Sequence, residues 1–176
     1  DFSADPTTGG GGEVVGDDAQ LFIDNSIAGG AVTAYDVAGS PVNIQFRWAK
    51  IDSTTLGAGH ADTWNLFYQT DSNATGTDVA WTNLGTDFTF GPNGQIDPPV
   101  TSITVTAPTI NNVALGDFTI NFGEDGITQF ADANGNVQVN QLEQDGFPAG
   151  QLQSVSVSDR GRIVGAYSNG RNLELA

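Results

Sequence analysis

The sequence predicts an all-β protein, an antiparallel barrel-like or sandwich-like domain with a β-hairpin region behind it. Three observations lead there. Twenty-three glycines and seven prolines punctuate the chain, surrounded by Thr, Ser, Asn and Asp, as many turns between short extended runs require. The apolar runs between these turns are themselves short. The plainest of them alternates: Val42, Ile44, Phe46 and Trp48 are interleaved with Asn43, Gln45, Arg47 and Ala49, giving one apolar and one largely polar face at period two, the pattern of a half-buried strand. A chain of 176 residues can bury roughly 70% of its unfolded surface, enough for one or two compact units.

The other elements follow in order. Residues 1–18 hold Pro6, consecutive glycines at 9–12, four aspartates and Glu13, a composition that buries little, so a linker or long loop is expected. Residues 19–23 and 31–35 are candidate strands separated by a loop at 26–30, and Tyr35-Asp36-Val37-Ala38-Gly39 reads as a turn. After the alternating strand, a Gly-rich connection around 57–59 leads to an aromatic-rich strand at 63–68, expected to pair antiparallel with it. A polar loop at 71–78 precedes two short strands, 79–84 and 88–90. The second ends in Gly91-Pro92-Asn93-Gly94, where proline suits the first corner of a turn and Asn-Gly tolerates positive φ, so a hairpin back through Gln95 and Ile96 is expected. Ile103 and Val105, then Phe118, Ile120 and Phe122, continue the alternation, and 137–142 reads as a further strand.

The C-terminal stretch QDGFPAGQLQSVSVSDRGRIVGAYSNG, residues 144–170, reads as a loop and a hairpin. Leu152, Val155, Val157, Ile163 and Tyr167 are its apolar positions, Asp159-Arg160-Gly161 its turn, and Ser168-Asn169-Gly170 a second turn.

Twenty-one acidic against five basic side chains give a formal charge of −16, which repels nucleic-acid phosphates and anionic lipid alike, so neither nucleic acid nor membrane is an expected partner. The charge is unevenly placed. Residues 1–142 carry seventeen acids against Arg47 and Lys50, whereas 143–176 carry four against Arg160, Arg162 and Arg171, which points to two differently employed surfaces. Without cysteine there are neither disulfides nor thiolate metal sites. Neither a charged-plus-apolar leader nor an apolar run near 18 residues is visible, so neither a secretory signal nor a membrane span is expected. The abrupt start at Asp1 and stop at Ala176 lead us to expect a piece of a longer protein.

Few constellations carry chemistry. His60, the single histidine, sits between Gly59 and Ala61 in a polar connection and reads as an exposed loop residue, since a relay or zinc site needs further groups. Asp132-Ala133-Asn134-Gly135-Asn136 places oxygens at alternate positions, with Glu143 twelfth, but the glycine comes too early for a calcium loop and the flanks read as strands. It is taken as a turn, and Glu124 and Asp125 as a solvated corner. Carboxylate pairs for glycoside hydrolysis could be drawn anywhere among so many acids, which makes that signal uninformative. Trp48, Trp64 and Trp81 read as core, with Trp81 the least committed. No catalytic, cofactor or metal role is assigned.

One resemblance runs through these elements. Gln144-Asp145-Gly146-Phe147, Gly150-x-Leu152 and Gly161-x-Ile163-Val164-Gly165-x-Tyr167-Ser168-Asn169-Gly170 follow one another in an order and spacing that closely resemble the C-terminal signature of bacterial flagellar hook proteins and their rod relatives. It extends backward in order through Tyr35, Asp36 and Gly39; Trp64; Phe90, Asn93, Gly94 and Ile96; Phe118, Ile120 and Phe122; and Gly126-Ile127-Thr128-Gln129-Phe130. It departs at Val37-Ala38 and Ser40-Pro41, where members commonly have Ser-Leu and Asn-x-His. The resemblance covers about residues 31–175 and leaves the first 30 without a counterpart.

The resemblance implies a structural subunit, not an enzyme, that needs no cofactor and polymerises with copies of itself into the curved tube joining the flagellar rod to the filament. Its partners would be itself, as a helical homopolymer, and other flagellar axial proteins. It would lie outside the cell, exported without a cleaved signal peptide, with residues 1–142 forming an outer acidic domain and 143–176 part of an inner β domain. Terminal helices that build the inner tube would lie outside this sequence. Arg160, Arg162 and Arg171 are then the cations expected to meet acidic surface on a neighbour. A distal rod protein is the nearest alternative. From a different class, the alternative is an extracellular carbohydrate-binding β-sandwich using Trp81 and loop carboxylates.

Overall fold

The computed structural model describes residues 12–123, 126–129, 143–158 and 160–175. Within them the order is β1 (Glu13–Val15), a 3-10 turn (Gly16–Asp18), α1 (Ala19–Asp24), β2 (Ser26–Tyr35), β3 (Pro41–Asp52), β4 (Asp62–Gln69), β5 (Val79–Phe90), β6 (Ser102–Val105), β7 (Thr109–Ile110), β8 (Val113–Ala114) and β9 (Phe118–Asn121). Then come β10 (Leu152–Val157), β11 (Ile163–Tyr167) and β12 (Asn172–Glu174). Every pairing is antiparallel. The main sheet has the order β1-β5-β4-β3-β2, β6 pairs β9, β7 pairs β8, and β10-β11-β12 form a separate sheet. The fold is all-β and sandwich-like, and among the described residues no sheet closes into a barrel.

The period-two pattern of β3 explains the larger core. Val42, Ile44, Phe46 and Trp48 are buried with Leu66, Tyr68 and Phe88, and Ile103, Val105, Ile110 and Leu115 close over them from β6 to β9 and their loops. Phe88 is the hub, edge-on to Trp48 at 4.8 Å and to Phe122 at 5.4 Å, a favoured aromatic geometry. A smaller cluster of Val14, Phe22, Ala49, Phe67, Ala80 and Trp81 gathers under α1. Where this second cluster lies, both faces of the main sheet are covered. Hence Leu66, Phe67 and Tyr68 are buried in succession instead of alternating.

Four sequence expectations are corrected here. Residues 13–18 are not linker: Glu13–Val15 pairs with β5, and Val14 is a core residue. Residues 19–23 form a helix, not a strand. Ala19, Gln20 and Leu21 are good helix formers, Gln20 donates to Asp24 one turn on at 2.8 Å, and the last-turn carbonyls are taken by side chains. Asn25 donates to Leu21, Ser26 to Phe22 and Arg47 to Ile23. The loop expected at 26–30 belongs to β2, whose pairing with β3 absorbs a bulge between Ala28 and Gly30. The two strands expected at 79–84 and 88–90 are one, β5, irregular opposite Asn65 and Phe67. The short strands β7, β8 and β12 had no sequence signal. The hairpin at 90–96 is present, with Phe90 bridging Ile96. Residues 1–11, Glu124, Asp125, Phe130, the Asp132 loop, the strand expected at 137–142, Asp159 and Ala176 lie outside the described residues.

Candidate functional site

The β10 and β12 strands of the sheet β10-β11-β12 are exposed on both faces among the described residues, and one of those faces carries a row of large apolar side chains. Val157 stands opposite Ile163, Val155 opposite Gly165, and Gly165 opposite Leu173, so these side chains share a face. Leu152 and Leu175 reach over Gly165 from either side. Exposure along this face runs from 37% at Leu173 to 70% at Val157. Ser154, Ser156, Asn172 and Glu174 take the other side with the smaller Val164 and Ala166. An apolar row of this kind on an isolated sheet marks a surface made to be covered.

The three arginines singled out in the sequence differ in situation. Arg162 forms an ion pair with Glu174 across the sheet. Arg171 lies over the ring of Phe147 at 4.9 Å. Arg160 is exposed beside the turn closed by Gly161 N–H on the Ser158 carbonyl at 2.8 Å.

Most motif residues meet at a second place. In the 35–39 turn the Asp36 carboxylate accepts from the N–H groups of Ala38 at 2.9 Å and Ser40 at 2.8 Å, which fixes the reversal between β2 and β3. The departures at Val37 and Ala38 leave this geometry intact, since Val37 is 97% exposed. From this turn the Gly39 carbonyl accepts from Ala149 N–H at 3.0 Å, and the Tyr35 ring lies against Gly146. On its far side the same 146–151 segment is tied to the turn between β11 and β12. Asn169 donates to the Pro148 carbonyl at 2.8 Å, Ser168 N–H to the Gln151 carbonyl at 2.8 Å, and Gln151 N–H to the Ser168 hydroxyl at 2.9 Å. Gly170 N–H closes the turn on Tyr167. Gly165 and Tyr167 lie within β11, and Asp145 is exposed. Pro148, Ala149 and Phe147 as the partner of Arg171 were not foreseen, because the first two act through backbone atoms.

A polar cluster closes the β3–β4 connection. His60 Nδ1 is 2.8 Å from Asp52, whose carboxyl is held below its usual range chiefly by that hydrogen bond. Asp62 accepts from Thr54 N–H at 2.9 Å and pairs with Lys50 at 3.0 Å, which together bring its pKa down to about 2. The Ser53 hydroxyl bonds Asp62 and Thr55 and makes no bond to the imidazole, so a nucleophile–base pair is not assembled. Among the described residues no three metal-binding side chains converge. Trp81, the least committed of the three tryptophans read as core, is a core residue: it is 3% exposed and its ring packs 5.5 Å from Phe22, so it offers no face for the alternative of sugar stacking.

The chain matches the family described as the flagellar basal body protein FlaE D2 domain over residues 28–147. It is 28% identical over 140 residues to the flagellar hook protein FlgE of Salmonella typhimurium (strain LT2), and equally to that of Salmonella typhi. The alignments cover 80% of this chain, which spans 31% of the length of each relative. With the match running from β2 through β9 and on into the segment that docks against the 35–39 turn, the chain belongs to the family of the flagellar basal body protein FlaE D2 domain.

Proposed function

We propose that this chain is a β portion of a flagellar hook subunit, a structural protein that polymerises with itself and meets other axial proteins to form the flexible tube between rod and filament. The observation that carries this reading is the similarity of 80% of the chain to hook proteins. On this reading the protein works outside the cell, is exported without a cleaved signal peptide, and is neither an enzyme nor a cofactor binder. Residues 1–142 form an outer acidic domain, and 143–176 are part of an inner β domain completed elsewhere in the subunit. The open face of β10 to β12 supports the second assignment, because its leucines and valines are apolar surface awaiting a cover. A tube that bends on each rotation needs rigid units whose mutual contacts are polar enough to re-form, and the acidic, Thr- and Asn-rich exterior suits that.

Arg160, Arg162 and Arg171 are proposed contacts to an acidic neighbour. Since Arg162 and Arg171 have partners within the chain, Arg160 is expected to matter most to assembly. Each exposed pair is worth about 0 to 1 kcal/mol, but a polymer repeats it many times. In the full-length protein, Arg160→Gln and the triple Gln variant are expected to give folded subunits with shortened or stiffened hooks and impaired swimming. Normal hooks and normal swimming in the triple variant would remove the arginines from the interface. Failure of the unsubstituted full-length protein to restore hooks to a hookless flagellated bacterium would remove the functional reading itself.

A further inference from the structure

The β10-β11-β12 sheet shares no strand with the main sheet, yet the 146–151 segment is bonded to turns of both. We propose that the 35–39 turn, this segment and the 168–170 turn form one interlocked joint that holds the two sheets at a fixed mutual orientation.

Two close approaches carry the inference. Gly39 has φ +78°, and a Cβ there would fall 2.3 Å from Ala149 N and 2.6 Å from its Cα. Backbone therefore lies on backbone, at the point where the Gly39 carbonyl receives the Ala149 N–H at 3.0 Å. On the other side, a Cβ on Gly150 would fall 2.5 Å from Asn169 Cγ, and that same side chain donates to Pro148 at 2.8 Å. Arg171 lying over Phe147 flanks this contact. A contact that admits no added methyl group has no slack, and close-packed contacts of this kind transmit displacement instead of absorbing it. Swinging one sheet against the other requires parting either the contacts with the 35–39 turn, Gly39–Ala149 and Tyr35–Gly146, or those with the 168–170 turn, Asn169–Pro148 and Ser168–Gln151. The joint thus gives a physical role to motif residues scattered over more than a hundred positions: Asp36 and Gly39 shape one socket, Gly146 and Gly150 the inserted segment, and Ser168, Asn169 and Gly170 the other socket.

The absence of cysteine lets spin labels be placed cleanly. Labels at Gln45→Cys on the main sheet and Ser156→Cys on β10, both exposed positions, report the distance between sheets by pulsed electron paramagnetic resonance on the 176-residue chain. The expected result is one narrow distance, with a distribution about twofold wider or more in Gly39→Ala and Asn169→Ala, as for two bodies released about a hinge. Gly161→Ala is the control: it sits at φ +77° with nothing within 4 Å of an added Cβ, so it strains a turn without touching the joint and should leave the distance narrow. Near-UV circular dichroism of the buried tryptophans checks the main sheet. Should Gly39→Ala disturb that sheet, Asn169→Ala, on the opposite socket, decides alone. A parent distribution already as wide as the variants', unchanged widths in the variants, or equal widening in Gly161→Ala would each overturn the joint.

Discussion

Asp62 shows how hydrogen-bond donors and a neighbouring cation together hold a carboxylate ionised. Thr54 N–H, Lys50 and Ser53 converge on it and bring its pKa from 3.8 to about 2. Because the folded value is the lower one, the stabilisation is complete above the unfolded pKa near 4 and is lost as pH falls through about 2. Side-chain exposures of 32% for Lys50 and 23% for Asp62 leave the pair screened by water. Asp62→Asn is therefore expected to cost under about 1 kcal/mol at pH 7, with variant and parent melting temperatures converging as the pH is lowered to about 2. A constant difference across that range would show that the carboxylate's charge contributes nothing. Asn65 is the opposite case, fully buried: it donates to the Thr86 carbonyl at 3.1 Å and to Asp87 at 2.6 Å, and accepts from Asn83 at 2.8 Å. Asn65→Ala leaves buried polar groups without partners and is expected to lower stability by about 2 to 3 kcal/mol, read as a lower urea midpoint at unchanged slope.

At the scale of elements, what could be read from the sequence depended on whether an element's cause was local. β3 was legible because its own alternation dictates its faces, and the 35–39 turn because Asp36 and Gly39 lie within it. α1 was not, since Leu21-Phe22-Ile23 is a short continuous apolar run, which reads as well as a buried strand as a helix. The helix is instead fastened by Ser26 and Arg47 and anchored by Phe22 against Phe67 at 4.9 Å. β5 reads as two strands because Leu84-Gly85-Thr86 resembles a turn, while the group that keeps it one strand, Asn65, comes from β4. Val14 was hidden by the glycines before it. For the candidate site, the motif residues were visible through family resemblance, but their meeting was not, because Pro148 and Ala149 contribute backbone atoms that any residue has. Phe22→Ala is expected to cost about 3 kcal/mol and to shift the tryptophan emission to the red as Trp81 gains water. An unchanged urea midpoint would mean that α1 contributes nothing to the main sheet's stability.

For the whole molecule, the division of surfaces matters most. The main sheet is packed by its own chain on one face and, under α1, on part of the other, whereas Leu152, Val155, Val157, Ile163, Leu173 and Leu175 stand open to solvent. In this chain alone, Val155→Ser with Val157→Ser should shift stability by less than about 0.5 kcal/mol, as exposed substitutions do, while the same pair in the full-length subunit should impair folding or assembly. An equal effect in both settings would mean that the face is never covered. The measurement that bears most directly on the proposed role is a helical reconstruction by electron microscopy of the full-length protein assembled in solution. The account predicts a hollow tube of repeating subunits, with the five-stranded sheets at its outer radius and the β10 to β12 face buried against other parts of the subunit. Full-length protein that stays monomeric under assembly conditions, or a tube in which that apolar face remains open to solvent, would contradict it.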